Sequence, residues 1–486
     1  MPDAPIAFGA WEPDRAPHVS PALVEAENVL PVAGAYAPFP AHVPLVGAVM
    51  PSYAFGFYAG PQADGSPLVY AATKTGVYRL RHGTAAQVYD AGAVVLANWW
   101  IVPFEGEVIA GSASVKPVAG EPGKAMALLS PDAPAARVAG IVERNFLVMG
   151  NLTSDGADGP APNRVRWSGF RNARAWGTNV GTQADFEDMP DVGGPVVAIT
   201  GRETGTVFQR NAITRMQYVG GSTIFDFTTV ELGRGPISTG AVCDIGTLAF
   251  YRADDGFFAW DGTQSVPIGT GRVDCWFHET VEHTALDRIV SGYDPVSRCV
   301  LWAFPEAGQS TPTRIVAFSL AEQRWSSVSL AVQQLGSGAT LPTPLEYAPP
   351  PDAPETGSYD SLTYVGKRPV LVGIDGTGRY GSFTGAPLAA TLTTGDWQAA
   401  PGQRAFVNGV RPLIDAAGAR VAIGHRGQRP SDPIVWNPAS SQGVDGLCPH
   451  RVDARYMRYR ATTAAGEPWT RAVGVEVSRI KSGGRR

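Results

Sequence analysis

Short runs rich in Val, Tyr, Trp and Phe recur along most of the chain, separated by Gly or Asp-Gly corners. The stretch "GFFAWDGTQSVPIG" (256–269) is typical: two brief apolar runs fold back around a tight turn. The same outline returns at 76–90, 163–177, 213–230, 313–330 and 378–392, and more weakly at 106–120. Alternating β-branched and aromatic residues around Gly corners predict antiparallel hairpins. Further apolar runs, such as "GTLAFYRADD" and "RCVLWAFPEA", precede them. This gives units of about four strands at spacings of roughly 30 to 65 residues, the signature of propeller blades. The fold expected is all-β, with a β-propeller-like body of six or seven blades.

Three segments break the pattern. "WFHETVEHTALDRIV" (276–290) carries Phe277, Val281, Ala285 and Ile289 at four-residue spacing, which predicts a helix. "LPTPLEYAPPPDAPETGSYD" (341–360) is Pro-rich and reads as a loop or insertion. Beyond 392 the alternating runs lengthen, as expected of a small β-sandwich. The domains expected are an extended N-terminal arm (1–43), a propeller body (44–392) with a Pro-rich insertion around 331–360, and a C-terminal sandwich (393–486).

Composition agrees with a turn-rich folded chain. Of 486 residues, 44% are hydrophobic and 17% charged, with 57 Gly and 41 Pro. The net charge of −5 conceals a polarity. From Arg404 onward there are 14 Lys and Arg against 6 Asp and Glu, a net of +8, so the remainder carries −13. Such an imbalance bears on partners and solubility rather than on catalysis. Cys243, Cys275, Cys299 and Cys448 stand far apart, with neither zinc-site nor disulfide spacing, and are expected to be free thiols. The N-terminus lacks a basic stretch followed by an apolar run, so no secretory signal is expected. No run approaches the ~18 apolar residues of a membrane span.

Candidate chemistry is sparse. "HETVEH" (278–283) is one residue out of step with H-E-x-x-H, so His278 and His283 point in different directions on a helix. A surface helix is the expectation. "DFEDMPD" (185–191) clusters carboxylates without the spacing of a calcium loop, and a solvated loop or a hydrogen-bonded corner is favoured. "SGYDPVSRCVLW" (291–302) lacks the order of a sialidase-type Asp box, and no acid–base pair stands out. "ARYMRYR" (454–460) puts Tyr456, Arg458 and Arg460 on one strand face, suited to nucleic acid, to a protein interface or to solvent. No catalytic residue, metal or cofactor is expected, and the chain is not expected to be an enzyme.

Taken in order, "ENVLPVAGAYAPFP" (27–40), "NRVRWSGFRNARAW", "DFEDMPDVGGPVVAITG", "GTVFQRNAITRMQYVGG", "DGFFAWDGTQSVPIG" and "RYMRYRATTAAGEPWTRAVGVEV" resemble the tail hub, or nozzle, proteins of short-tailed double-stranded DNA bacteriophages. The resemblance implies a structural virion protein, assembled in the host cytoplasm and located in the viral tail. It implies a homohexameric ring below the head-to-tail adaptor that closes and then conducts the DNA exit channel. A tail fibre or tailspike would be anchored on the ring. Genomic duplex DNA would pass through the lumen without sequence-specific binding, and no part would span a membrane. Trp11 and the aromatics of the arm are expected to dock on a neighbouring subunit or the adaptor. The candidate assembly-interface residues are Asn28, Tyr36, Pro38, Phe39, Pro40, Arg455, Arg458 and Arg460. The alternative is a β-propeller carbohydrate-active enzyme or lectin.

Overall fold

The computed structural model describes residues 4–18, 21–61, 67–95, 97–201, 203–221, 223–341, 367–398, 403–427, 429 and 431–482. Its body is a propeller of seven four-stranded antiparallel blades. Six are continuous in sequence, at 56–90, 99–128, 135–188, 196–232, 242–267 and 290–329. The seventh takes three strands from 332–387 and its outermost strand, Pro40–Val49, from the N-terminal region. That long-range pairing closes the ring.

Inner strands are covered on both faces and so read as unbroken apolar runs. Pro67–Thr73 and Cys299–Phe304 are buried at every position. Seven clusters of buried side chains result, one between each pair of adjacent blades. Seven blades meeting at seven cores define a closed ring.

The C-terminal domain is a sandwich. One sheet is ordered Val29–Val32, Ala35–Pro38, Ala472–Ser482, Ala405–Ile414, Cys448–Ala454, with Ala4–Ala7 also paired to Ala472–Ser482. The other contains Leu23–Glu27, Ala390–Thr394, Tyr456–Thr463, Arg420–Arg426 and Val435–Trp436. Cys448–Ala454 alternates strictly between buried and exposed, as a one-sided strand should.

The two domains share a sheet. Leu23–Glu27 pairs in parallel with Arg324–Ser329, the outer strand of the sixth blade, and antiparallel with Ala390–Thr394 of the sandwich. A ten-stranded sheet therefore runs from one domain into the other. Its core is equally continuous: Phe257, Trp302 and Trp325 of the blades join Trp11 and Tyr36 of the arm and Val421 and Tyr459 of the sandwich.

Several expectations change. The arm is extended, but it is woven into its own chain: Trp11 is 3% exposed, Tyr36 0% and Phe39 1%. Burial at that level leaves these aromatics no surface for a neighbouring subunit. Residues 163–177 are not a hairpin. The strand Ala161–Trp167 pairs with Asp185–Asp188, and between them Trp176 turns inward to the core between the second and third blades. Residues 378–392 feed two different sheets, Arg379–Pro387 going to the propeller and Ala390–Thr394 to the sandwich. The expected helix is two pieces, an α-helix at Asp274–Thr280 and a 3-10 turn at His283–Arg288. Between them Val281 adopts an extended conformation and bridges Glu306. All four residues of the proposed apolar face are nevertheless buried. Val332–Ala339, within the expected insertion, is the inner strand of the seventh blade, whereas 342–360 lie outside the described residues.

Candidate functional site: a trough across the mouth of the propeller

On one face of the ring, the connections entering the first, second, fifth and sixth blades converge on the central axis. They enclose two contiguous cavities of about 500 and 730 Å³, which share Phe55, Asp287 and Arg288. Phe55 is the centrepiece. Arg288 lies over its ring at 4.6 Å and over Tyr53 at 5.7 Å, while Lys74 sits 5.2 Å from the Phe55 ring. Cations over aromatic faces contribute about 0.5–1 kcal/mol each when exposed. Tyr53 and Phe55 pack together at 5.0 Å, and burial pushes the Tyr53 hydroxyl up to about 12.

Polar bonds fix the rim. Asn98 Nδ2 donates to the Asp287 carbonyl at 3.1 Å, tying the second blade's entry to the sixth. Thr239 Oγ1 donates to the Val197 carbonyl at 2.7 Å, and Asn151 Nδ2 to that of Val196 at 2.9 Å. Arg137 is exposed in the trough. The lining thus offers Lys74, Arg137 and Arg288 beside two aromatics, with Asp287 and Glu282 as the acids. Cations and flat rings suit acidic or planar groups on a partner.

The residues singled out from the sequence are placed elsewhere. Asn28, at a positive φ of 59°, is a rivet: its Nδ2 donates to the Ala389 carbonyl at 2.7 Å and its Oδ1 accepts from Ser329 N at 2.8 Å. Tyr36 donates through Oη to the Gly9 carbonyl at 3.0 Å, and Phe39 meets Phe383 edge-on at 5.8 Å. Pro38 and Pro40 are half-buried beside them. Arg458 pairs with Asp396 at 2.6 Å. Arg460 stacks on Trp436 at 4.0 Å and reaches Glu25 at 3.5 Å, while Arg455 lies over Tyr456 at 5.4 Å. Arg458 and Arg460 thus each make contacts within the chain, with Arg458 largely buried and Arg460 partly exposed.

The other motifs also resolve into local contacts. His283 Nε2 lies 3.0 Å from the His278 carbonyl, a contact that uses its ring proton. Asp188 takes a two-pronged bond from Arg164 at 2.7 and 3.0 Å, which holds its carboxyl below the usual range. Asp191 accepts from Asn163 at 2.7 Å. Asp294 closes a turn through Val296 N and Ser297 Oγ. Ser440 Oγ lies 3.0 Å from His450 Nε2, but the same nitrogen is 3.1 Å from the Val421 carbonyl. A proton shared with that carbonyl cannot leave Nε2 free to take one from the serine, so this pair is not an activated nucleophile.

Tyr53, Phe55, Lys74 and Arg288 were not visible as a site in the sequence. They come together only because entries to the first and sixth blades and a hairpin turn of the first meet in space.

No family model matches the chain, and no curated protein matches it. Solved structures do show likeness. The extracellular domain of BT4673 from B. thetaiotaomicron is 9% identical with a TM-score of 0.41, covering 82% of this chain and 47% of that one. BamB from Moraxella catarrhalis is 10% identical with a TM-score of 0.37, covering 72% and 92% respectively. The Pan2 WD40 domain of Neurospora crassa is 9% identical with a TM-score of 0.39, covering 60% and 88%. The chain spans about half the length of the first of these. Among the described residues, no helix is long and apolar enough to cross a membrane.

Proposed function

We propose that the chain is a structural assembly subunit of the tail hub or nozzle kind and not an enzyme. Six copies form a ring beneath a head-to-tail adaptor, carry fibres or spikes, and conduct the genome through the lumen. The observation that carries this reading is the joint between the domains. A sheet that passes from the sixth blade through Leu23–Glu27 into the sandwich leaves no free linker to act as a hinge. A ring subunit that must keep its shape while a duplex moves past is served by such a joint. Residues 27–40 and 455–477, which carry part of the resemblance, include strands of this joint and of the sandwich beside it. The engagement of Arg458 and Arg460 within the chain favours a protein-facing role for the basic domain over a grip on DNA.

The test is assembly. Co-expressed with its neighbouring adaptor protein, the full chain should give sixfold rings in electron-microscope class averages. A strictly monomeric protein that never joins the adaptor would overturn the reading. The aromatic trough favours carbohydrate binding as a second reading, which predicts glycan-array signals that disappear in Phe55→Ala.

A further inference from the structure

On the face opposite the trough, two arginines of the first blade meet a loop of the second. Arg79 and Arg81 lie two apart on the strand Gly76–Arg81 and so share one side. The alternate residues Tyr78 and Leu80 turn the other way, into the core shared with the seventh blade. The loop presents Gly123 at a φ of +89°. A Cβ there would lie 2.0 Å from Arg79 Nη1 and 2.6 Å from Arg81 Nη2, so these two nitrogens are no more than 4.6 Å apart. Glycine suits that backbone angle and lets both guanidinium groups close on the loop, where a larger residue would push them aside. The Gly123 N–H donates to Tyr70 Oη at 3.1 Å, which anchors the loop.

Two like charges this close repel unless an anion lies between them. Elsewhere on the propeller the chain supplies that anion itself: Arg164 has Asp188, Arg171 has Glu105, Arg174 has Glu107, and Arg234 has Asp255. Among the described residues, no carboxylate pairs with Arg79 or Arg81. Arg79 is held below the usual guanidinium range by burial and by Arg81. The same loop carries Lys124 and Glu121, both exposed, as one positive and one negative charge at its edge.

We propose that Arg79 and Arg81 form a receptor for a phosphate-sized oxyanion, with Lys124 at its rim. Two guanidinium groups on one side of the strand match the several acceptors of such a group. The site is independent of the assembly role proposed above.

Isothermal titration of the full chain tests it, with sodium phosphate at an ionic strength matched by chloride. A parallel titration uses a phosphomonoester, glycerol 2-phosphate. Both should bind, and Arg79→Gln and Arg81→Gln should each weaken binding about tenfold or more, the worth of one charge-assisted hydrogen bond. Arg81 is exposed, so its variant separates lost binding from lost folding. Equal affinities would identify the ligand as the free ion, and tighter phosphomonoester binding would identify it as a phosphorylated molecule. No heat beyond the chloride control, or unchanged binding in both variants, would overturn the proposal.

Discussion

Arg458 Nε donates to Asp396 Oδ1 across 2.6 Å, and the aspartate side chain is 2% exposed. Arg426 reaches the same oxygen at 3.1 Å. The three residues come from different parts of the sandwich, and the Asp396 N–H is held by the Pro17 carbonyl of the arm at 2.8 Å. Removing one partner of a buried pair strands the other charge and costs about 3–5 kcal/mol. Asp396→Ala should lower unfolding stability by that order, since it strands two guanidinium groups. Urea denaturation reads it directly, and a loss within the ±0.5 kcal/mol typical of surface substitutions would contradict the buried cluster.

The arm gives a second expectation. Phe39 is 1% exposed in the core between the sixth and seventh blades. Phe39→Ala should cost about 3–5 kcal/mol, the range for a buried aromatic truncated in a packed core. If the arm instead served only a neighbouring subunit, the isolated variant would melt like the parent and fail only in assembly. Calorimetry of the purified variant separates the two.

Glu282 should contribute to acid sensitivity, alongside other hydrogen-bonded carboxylates such as Asp188. Hydrogen bonds from Thr284 and from the Gly308 N–H pull its carboxyl down to about 2. A depressed folded-state value means that the stabilisation is fully present above the unfolded value near 4.5 and is lost as pH falls from there toward 2. Glu282→Gln should therefore melt with a weaker pH dependence than the parent between these limits. Parallel slopes in the two proteins would refute this.

Thiol chemistry should be selective. Cys275 is exposed, whereas Cys243, Cys299 and Cys448 are buried. Burial pushes the Cys243 thiol up to about 12 and the Cys299 thiol to about 11, and Asp14 beside Cys275 raises that one too. Mass spectrometry after brief alkylation of the native protein should find Cys275 modified alone and slowly. All four should react in denaturant. Early modification of Cys299 would show that the sixth blade opens.

How much of this was legible in the sequence depended on whether a contact was local. The hairpins at 76–90, 213–230 and 256–269 carry their turn and both strands in one stretch, and they form as expected. The loop after Trp167 deceived because its aromatic spacing imitates a strand, while Trp176 packs sideways against the second blade. Blade number stayed open because the last outer strand is supplied from Pro40–Val49, and nothing near 387 announces a partner so far away. The interface residues were misread for a related reason. Uncharged aromatics such as Tyr36 suggest a sticky arm, and only the tertiary fold reveals that the surface they stick to belongs to the same molecule.

Closure by the N-terminal strand also sets a timetable for biosynthesis. Pro40–Val49 leaves the ribosome early, but Arg379, which pairs with Val49, follows 330 residues later. At about 5–20 residues per second this is a wait of roughly 17 to 66 seconds. Throughout it the nascent chain trails a ten-residue strand with Val43, Val46 and Val49 along its length and its ladder partner, Arg379–Pro387, not yet made. Blades one to six have time to collapse in order, and the seventh can form only afterwards. The cell must shelter that strand until translation is nearly finished, or risk its pairing with the wrong chain.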